Sequence, residues 1–467
     1  FHSTLNSFLT LFDRHLHTVS HVRSTSTVLF TSLLAVSAKF FRPDLYPALL
    51  ARAKQLTGTA MAEGTATVPF IQSLCVLVFW KEPLDSSAWL RVGYAIRIAY
   101  QLHLHAERKT PFPDDEAEAR QIMDRERTWM VLVICDHLYI LRLNDDDDDG
   151  FCQTSMIPSY RINPVEWLAD TRRWGVDDDL ELGPTLEWVK VLRLARDIAQ
   201  SRPSHARALS SHLQGILEAA YGRWVTSITA ASSPNERRRA IRVRFFMTAA
   251  FVVLHRATLE ATELTDESAK RYHVDGINDQ NLARFLTYSN EMVESIEALE
   301  HEGMIQFFQD LLGPTLYSFG EFLVKLYPGS GPHTQSTILN LLSRTYRAFD
   351  NAAAGRDDTT PAFISRFFQL TLRILGAPPG PSHSTPLAPP VLPGPDAAYP
   401  PHLVHRDSNG VPYPSSADTN PSGPIPLPTY PPMSFADSIN DDTQYWDSLI
   451  PGGTGWFDQS LDDLLRT

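Results

Sequence analysis

"SSAWLRVGYAIRIAYQL", residues 86–102, decides how the chain is read. Apolar side chains return every three or four residues. Ala88, Val92, Ala95, Ala99 and Leu102 share one face, and Trp89, Ile96 and Tyr100 widen it. So broad an apolar surface belongs to a helix buried on most sides. "EAEARQIMDRERTWMVLVICDHLYILRL", residues 116–143, reads as a second long helix, polar in its first half and apolar in its second.

Working outward, the same period predicts helices over 3–17, 27–40, 45–62, 66–80, 185–201, 207–230, 235–262, 278–300, 304–327, 334–350 and 361–376. Ser233 before Pro234 offers a helix start, and Gly303 after "LEHE" a helix end. Strand alternation nowhere lasts more than a few residues. The expected fold class is all-α, a multi-helix domain over 1–376 followed by a long disordered tail.

The bulk numbers agree. The 467 residues are 43% hydrophobic and 20% charged, enough for a sizeable core. No apolar run reaches the roughly 18 residues of a membrane span. The start lacks the basic and small-residue features of a signal peptide. The first residue is Phe, as expected of a fragment or processed chain with something missing upstream. Cys75, Cys135 and Cys152 are far apart and form no C-x-x-C, so the chain cannot build a cysteine zinc site alone. Such usage fits a reducing compartment, cytosol or nucleus. The net charge of −13 comes mostly from Asp145–Asp149 and from the residues after Pro431. The remainder is nearly neutral, a poor candidate for direct DNA contact.

The helical register breaks twice. Five adjacent carboxylates at 145–149 repel one another and favour a solvated loop over 144–160. As a calcium loop the run fails: Gly150 stands at the sixth position but Met156 at the twelfth, where Glu is needed. The second break follows Gly376. Eighteen prolines between Pro378 and Pro432 prevent a core, so 377–432 reads as a disordered or polyproline linker.

Beyond it, residues 433–467 interleave Asp with Phe435, Tyr445, Trp446, Leu449, Ile450, Trp456, Phe457, Leu461, Leu464 and Leu465. The charges hold the apolar side chains in water, available to a partner, and "DQSLDDLLRT" could fold on binding. This composition is that of an activation segment. The bland alternative is a tail that folds back on the parent domain or does nothing.

Two His-Leu-His triplets, His15/His17 and His103/His105, raise the possibility of a metal site. On a helix the members of each triplet lie about 200° apart and cannot share an ion. A histidine near a helix C-terminus instead interacts with the macrodipole. The chain has no G-x-S-x-G elbow, P-loop or Rossmann fingerprint. "RRRAIRVR" at 237–244 spreads its charge round a helix and reads as a solvated turn and a half, not a phosphate track. Arg91 and Arg97 are expected to snorkel or to pair with Asp124 or Glu126. No catalytic, cofactor or metal residue is assigned.

Three segments together resemble the middle regulatory region of fungal zinc-binuclear-cluster transcription factors. They are "RSTSTVLFTSLLAVSAKFFRPDLYPALLARAKQL", "AWLRVGYAIRIAYQLHLH" and "RERTWMVLVICDHLYILRL". Leu90, Gly93, Ala95, Arg97 and Ala99 match one family segment. Leu102, Leu104 and His105 match its Leu-Gly-Leu-His ending, with His103 in place of Gly. Arg125, Arg127, Thr128 and Trp129 match a basic helix start, and Asp136 is followed by His137 where the family has Arg. "DRHLHTVSHVRSTS" is similar to the entry segment of fungal activators of secreted-protease genes. The resemblance is strongest over 10–143 and departs from the family at the acidic run, where the usual Gly-Arg-Pro-type loop is missing.

The resemblance implies a nuclear transcription regulator, an activator more than a repressor, and no enzyme. Its helical body would regulate or support a homodimer, and its acidic tail would recruit the transcription machinery or a coactivator. DNA contact, and zinc, are expected only in an N-terminal cluster outside this chain. Two other classes remain open: an all-helical cytosolic metal-dependent enzyme or ligand-binding protein using the triplets, and a scaffold with an inert tail.

Overall fold

The computed structural model describes residues 1–83, 85–140, 156–157, 162–199, 203–226, 233–262, 264–266, 271–273, 279–309 and 312–376. The acidic run, the proline-rich linker and the whole segment from Phe435 to Leu465 lie outside them.

The described chain is helical almost throughout. The first half holds α1 (Asn6–Leu9), α2 (Val19–Thr25), α3 (Thr27–Phe41), α4 (Tyr46–Ala62), α5 (Val68–Phe79), α6 (Ala88–Gln101) and α7 (Glu116–Ile140). After α8 (Pro164–Asp170) and a 3-10 turn (Asp177–Glu181) come α9 (Leu182–Ala199), α10 (Pro203–Thr226) and α11 (Pro234–Thr262). A two-stranded antiparallel pair, β1 (Leu264–Asp266) and β2 (Arg271–His273), precedes α12 (Asp279–His301). The last helices are α13 (Ile305–Phe308), α14 (Gly313–Leu326), α15 (Pro332–Ala353) and α16 (Thr360–Ile374).

Local chemistry sets many of these ends. Side chains of Thr18, Ser26, Thr67 and Thr359 accept the N–H groups of His21, Leu29, Phe70 and Ala362, starting α2, α3, α5 and α16. Ser233 and Glu236 bond each other's backbone N–H, a capping box that opens α11 where the sequence placed it. Gly303 closes α12 with φ +65°, again as expected.

Helix α3 packs on α4 and α5; α5 packs on α6 and α7; α7 packs on α9. Helices α9, α10 and α11 form a second group, to which α12, α15 and α16 are added in turn. One continuous apolar cluster runs through both groups, from Leu5 to Leu372. Burial of α6 follows the sequence: Ala88, Val92, Ala95, Ile96 and Ala99 are all within it.

Three expectations are corrected. No helix spans 3–17: α1 ends after four residues, with Thr10 left-handed at φ 53°. The Asn6 side chain then clamps the Phe12 backbone, Nδ2 to O at 2.8 Å and N to Oδ1 at 3.0 Å. Leu9, Leu11 and Phe12 are all buried, which one face of a helix cannot do. The helix expected over 304–327 is broken at Gln309 (φ 45°), and Pro314 begins a new one. Of the solvated loop expected over 144–160 only Met156 and Ile157 are described, and Ile157 is not solvated. Ile157 is fully buried, and its N–H donates to Asp136 Oδ2 at 2.9 Å.

Candidate functional site

Helix α7 carries Arg120, Asp124 and Arg127 at i, i+4 and i+7, so the three share one stripe. That stripe meets α5, the N-terminal segment and the 3-10 turn. Arg120 donates to Asp13 Oδ2 (2.5 Å) and to the Trp174 carbonyl (2.9 Å). Arg127 grips Asp179 with Nε–Oδ1 at 2.7 Å and Nη2–Oδ2 at 2.9 Å. Next along the turn, Glu181 accepts from Nε and Nη2 of Arg242 on α11, at 2.7 and 2.5 Å. Bidentate geometry of this kind is what keeps a buried ion pair from being a net loss.

Asp124 is the odd member. It accepts from Gln72 Nε2 at 2.8 Å and faces His17 Nε2 at 3.4 Å. Burial pushes its carboxyl up to about 7, against the pull of Arg127. Burial likewise lowers His17 to about 4. His17 Nδ1 lies 3.2 Å from the Asp13 carbonyl, which can only accept. The neutral ring therefore carries its proton on Nδ1 and turns the Nε2 lone pair toward a carboxyl group that itself favours the protonated form.

The triplet histidines do not converge. His15 is exposed in the turn after α1 and His17 is buried against Phe12. His103 and His105 lie just past α6, not on it, both exposed with rings 6.0 Å apart. Among the described residues no group of three or more His, Cys, Asp or Glu is arranged to hold a metal ion. Cys75 and Cys135 are buried between α5 and α7, where the Cys135 thiol and burial push Cys75 well above its usual range.

The other singled-out residues are spread along α6 and α7. Leu90 is 68% exposed, whereas Leu104 and Trp129 are buried. Gly93 lies beneath Arg97, whose Nη1 donates to the Gly93 carbonyl at 3.1 Å. Arg125 reaches the Leu102 carbonyl at 2.7 Å, closing α6 onto α7, and His105 sits over Tyr100. Arg91 pairs with Asp85 at 3.0 Å rather than with Asp124 or Glu126. Glu126 instead holds Arg108 and the Trp167 indole.

The basic run of α11 is not a free patch either. Arg238, Arg242 and Arg244 pair with Glu302, Glu181 and Glu294. Sequence reasoning passed over Asp179 and Glu181. Their only signal was the acidic run "DDDLE", whose partners lie 50 or more residues away. Taken together the seam binds elements to one another; Arg120, Arg127, Arg242, Asp13, Asp179 and Glu181 are each paired within the chain.

Over 137 residues the chain is 39% identical to "Protein priB" of Lentinula edodes, a stretch that is 28% of this chain and 22% of that protein. The chain thus spans a little over a fifth of the curated relative it matches. No family model matches the chain. No solved structure matches it.

Proposed function

We propose that this chain is the regulatory and activating part of a fungal transcription regulator. The observation that carries the reading is the way the resembling segments close on one another. Arg125 of α7 caps the end of α6, Trp129 packs edge-on against Tyr100, and Asp136 holds the docked Ile157. The residues that carry the resemblance thus do consistent structural work, and partial identity to a fungal protein agrees with it. On this reading the helical body sits in the nucleus and presents the acidic-aromatic segment 433–467 to the transcription machinery. DNA contact and zinc reside in a module N-terminal to it, and the helical body regulates or supports a homodimer.

The test is a tethering experiment. Residues 433–467 fused to an unrelated DNA-binding domain should switch on a reporter in fungal cells. Replacing Trp446, Leu449, Trp456 and Phe457 by Ala should abolish that. A silent fusion would leave an all-helical scaffold and overturn the activating role.

A further inference from the structure

Beside the ionic seam lies a cleft of about 410 Å³, between the N-terminal segment, the 3-10 turn, the start of α11 and the α12–α13 connection. Its size is that of a small-molecule site. Phe8, Phe12, Met304 and Phe307 give it an apolar side. The rest of its wall is charged, and most of those charges are matched. Arg242 is taken by Glu181, Arg238 by Glu302 at 3.1 Å, and Asp178 accepts from Asn6 at 2.7 Å.

Arg239 is different. Its nearest carboxylates, Glu181 and Asp177, stand 3.9 and 4.0 Å away, past hydrogen-bond reach. Its side chain is only 12% exposed, and Nε is shut off from solvent with no partner. A guanidinium has five donors in a rigid fork, and leaving even the Nε–H unfilled out of water is costly.

We propose that the cleft binds a small organic monocarboxylate, its carboxylate on Arg239 and its apolar body against Phe8, Phe12 and Phe307. Four carboxylates (Asp177, Asp178, Glu181 and Glu302) and four arginines (Arg14, Arg238, Arg239 and Arg242) line the wall, so its charge is near balance. A balanced wall accepts a monoanion at Arg239 more readily than a phosphate dianion, which its carboxylates repel. The inference rests on the cleft alone, so it stands or falls apart from the regulatory reading.

The experiment is calorimetric titration of the purified full chain with phenylacetate, phenylacetamide, acetate and inorganic phosphate. Phenylacetate should bind saturably at one site, with the amide, acetate and phosphate each about tenfold weaker or worse. Arg239→Gln should lose about tenfold or more in affinity at unchanged circular dichroism. Gln306→Trp, which fills the cleft from its half-buried rim, should also abolish binding; it decides the matter should Arg239→Gln fail to fold. No binding of phenylacetate, equal binding of acid and amide, tighter binding of phosphate, or full affinity in the folded variants would each overturn the proposal.

Discussion

Arg127 and Asp179 meet as a two-pronged pair, 2.7 and 2.9 Å, with the arginine side chain 0% and the aspartate 2% exposed. They join α7 to the turn that leads into α9, across a gap of 52 residues in sequence. Removing one partner strands the other charge out of water. Arg127→Met or Asp179→Leu alone should therefore cost about 3–5 kcal/mol in urea unfolding, and the pair Arg127→Met/Asp179→Leu much less than their sum. Additive losses in the double variant would show that the two residues act separately.

His103 occupies a position made for glycine. Its φ is +56°, and the bonds Leu104 N to Ala99 O (2.9 Å) and His103 N to Tyr100 O (3.0 Å) complete a Schellman turn at the end of α6. Gly303 makes the same pattern after α12, with Met304 N to Leu299 O and Gly303 N to Glu300 O both at 2.8 Å. A β-carbon in this region costs about 1–2 kcal/mol, part of which glycine returns as unfolded-chain entropy. His103→Gly should therefore stabilise by about 0.5–1 kcal/mol, and Gly303→Ala should destabilise. Thermal unfolding of the two variants checks both signs.

The Asp124–His17 pair makes a claim about pH. Asp124 has a raised folded value of about 7, so alone it would add stability at low pH and lose it as pH rises from about 4 to 7. His17 has a lowered folded value of about 4, so alone it would add stability above about 6.5 and lose it as pH falls toward 4. Between these limits folding moves a proton from one to the other and binds none net from these two. Their combined contribution should be flat. Asp124→Asn should leave a stability that rises with pH across this window, and His17→Gln one that falls, each by up to about 1.4 kcal/mol per unit. Denaturation at pH 4.5 and 6.5, compared with the parent chain, reads the slopes; parallel profiles for all three proteins would contradict the pairing.

Gly320 lets α14 approach α16. A β-carbon there would stand 2.6 and 3.0 Å from Phe367 ring carbons and 3.3 Å from Phe368. Both rings are buried, so they cannot swing out to solvent. The helix-propensity gain of about 1 kcal/mol for Gly320→Ala should be outweighed by overpacking, for a net loss of about 1–2 kcal/mol. Gly222→Ala, where nothing lies within 4 Å of the new carbon, should stabilise.

Long periodic stretches were legible because one helix face sets their spacing. Helices α6, α7, α11 and α15 lie close to where the apolar period puts them. The stretch 3–17 misled because Leu9, Leu11 and Phe12 owe their burial to a clamped turn, not to a face. Pro314 was the visible reason to split 304–327. Short α2 and α8 offer too few turns for a period to show. The ionic seam was hidden for another reason: Asp13, Asp124, Asp179 and Glu181 look like any surface carboxylate until the fold brings arginines to them. The glycine missing at His103 was readable as a departure, and its meaning, a left-handed helix end, needed the backbone.

The claim that matters most is that the intact protein sets transcription. The direct measurement is nascent RNA in the source organism within minutes of depleting the protein through a degradable tag. A defined set of genes should fall promptly, before downstream effects can spread, and recover only with a copy that retains residues 433–467. An unchanged nascent transcriptome after full depletion would contradict it.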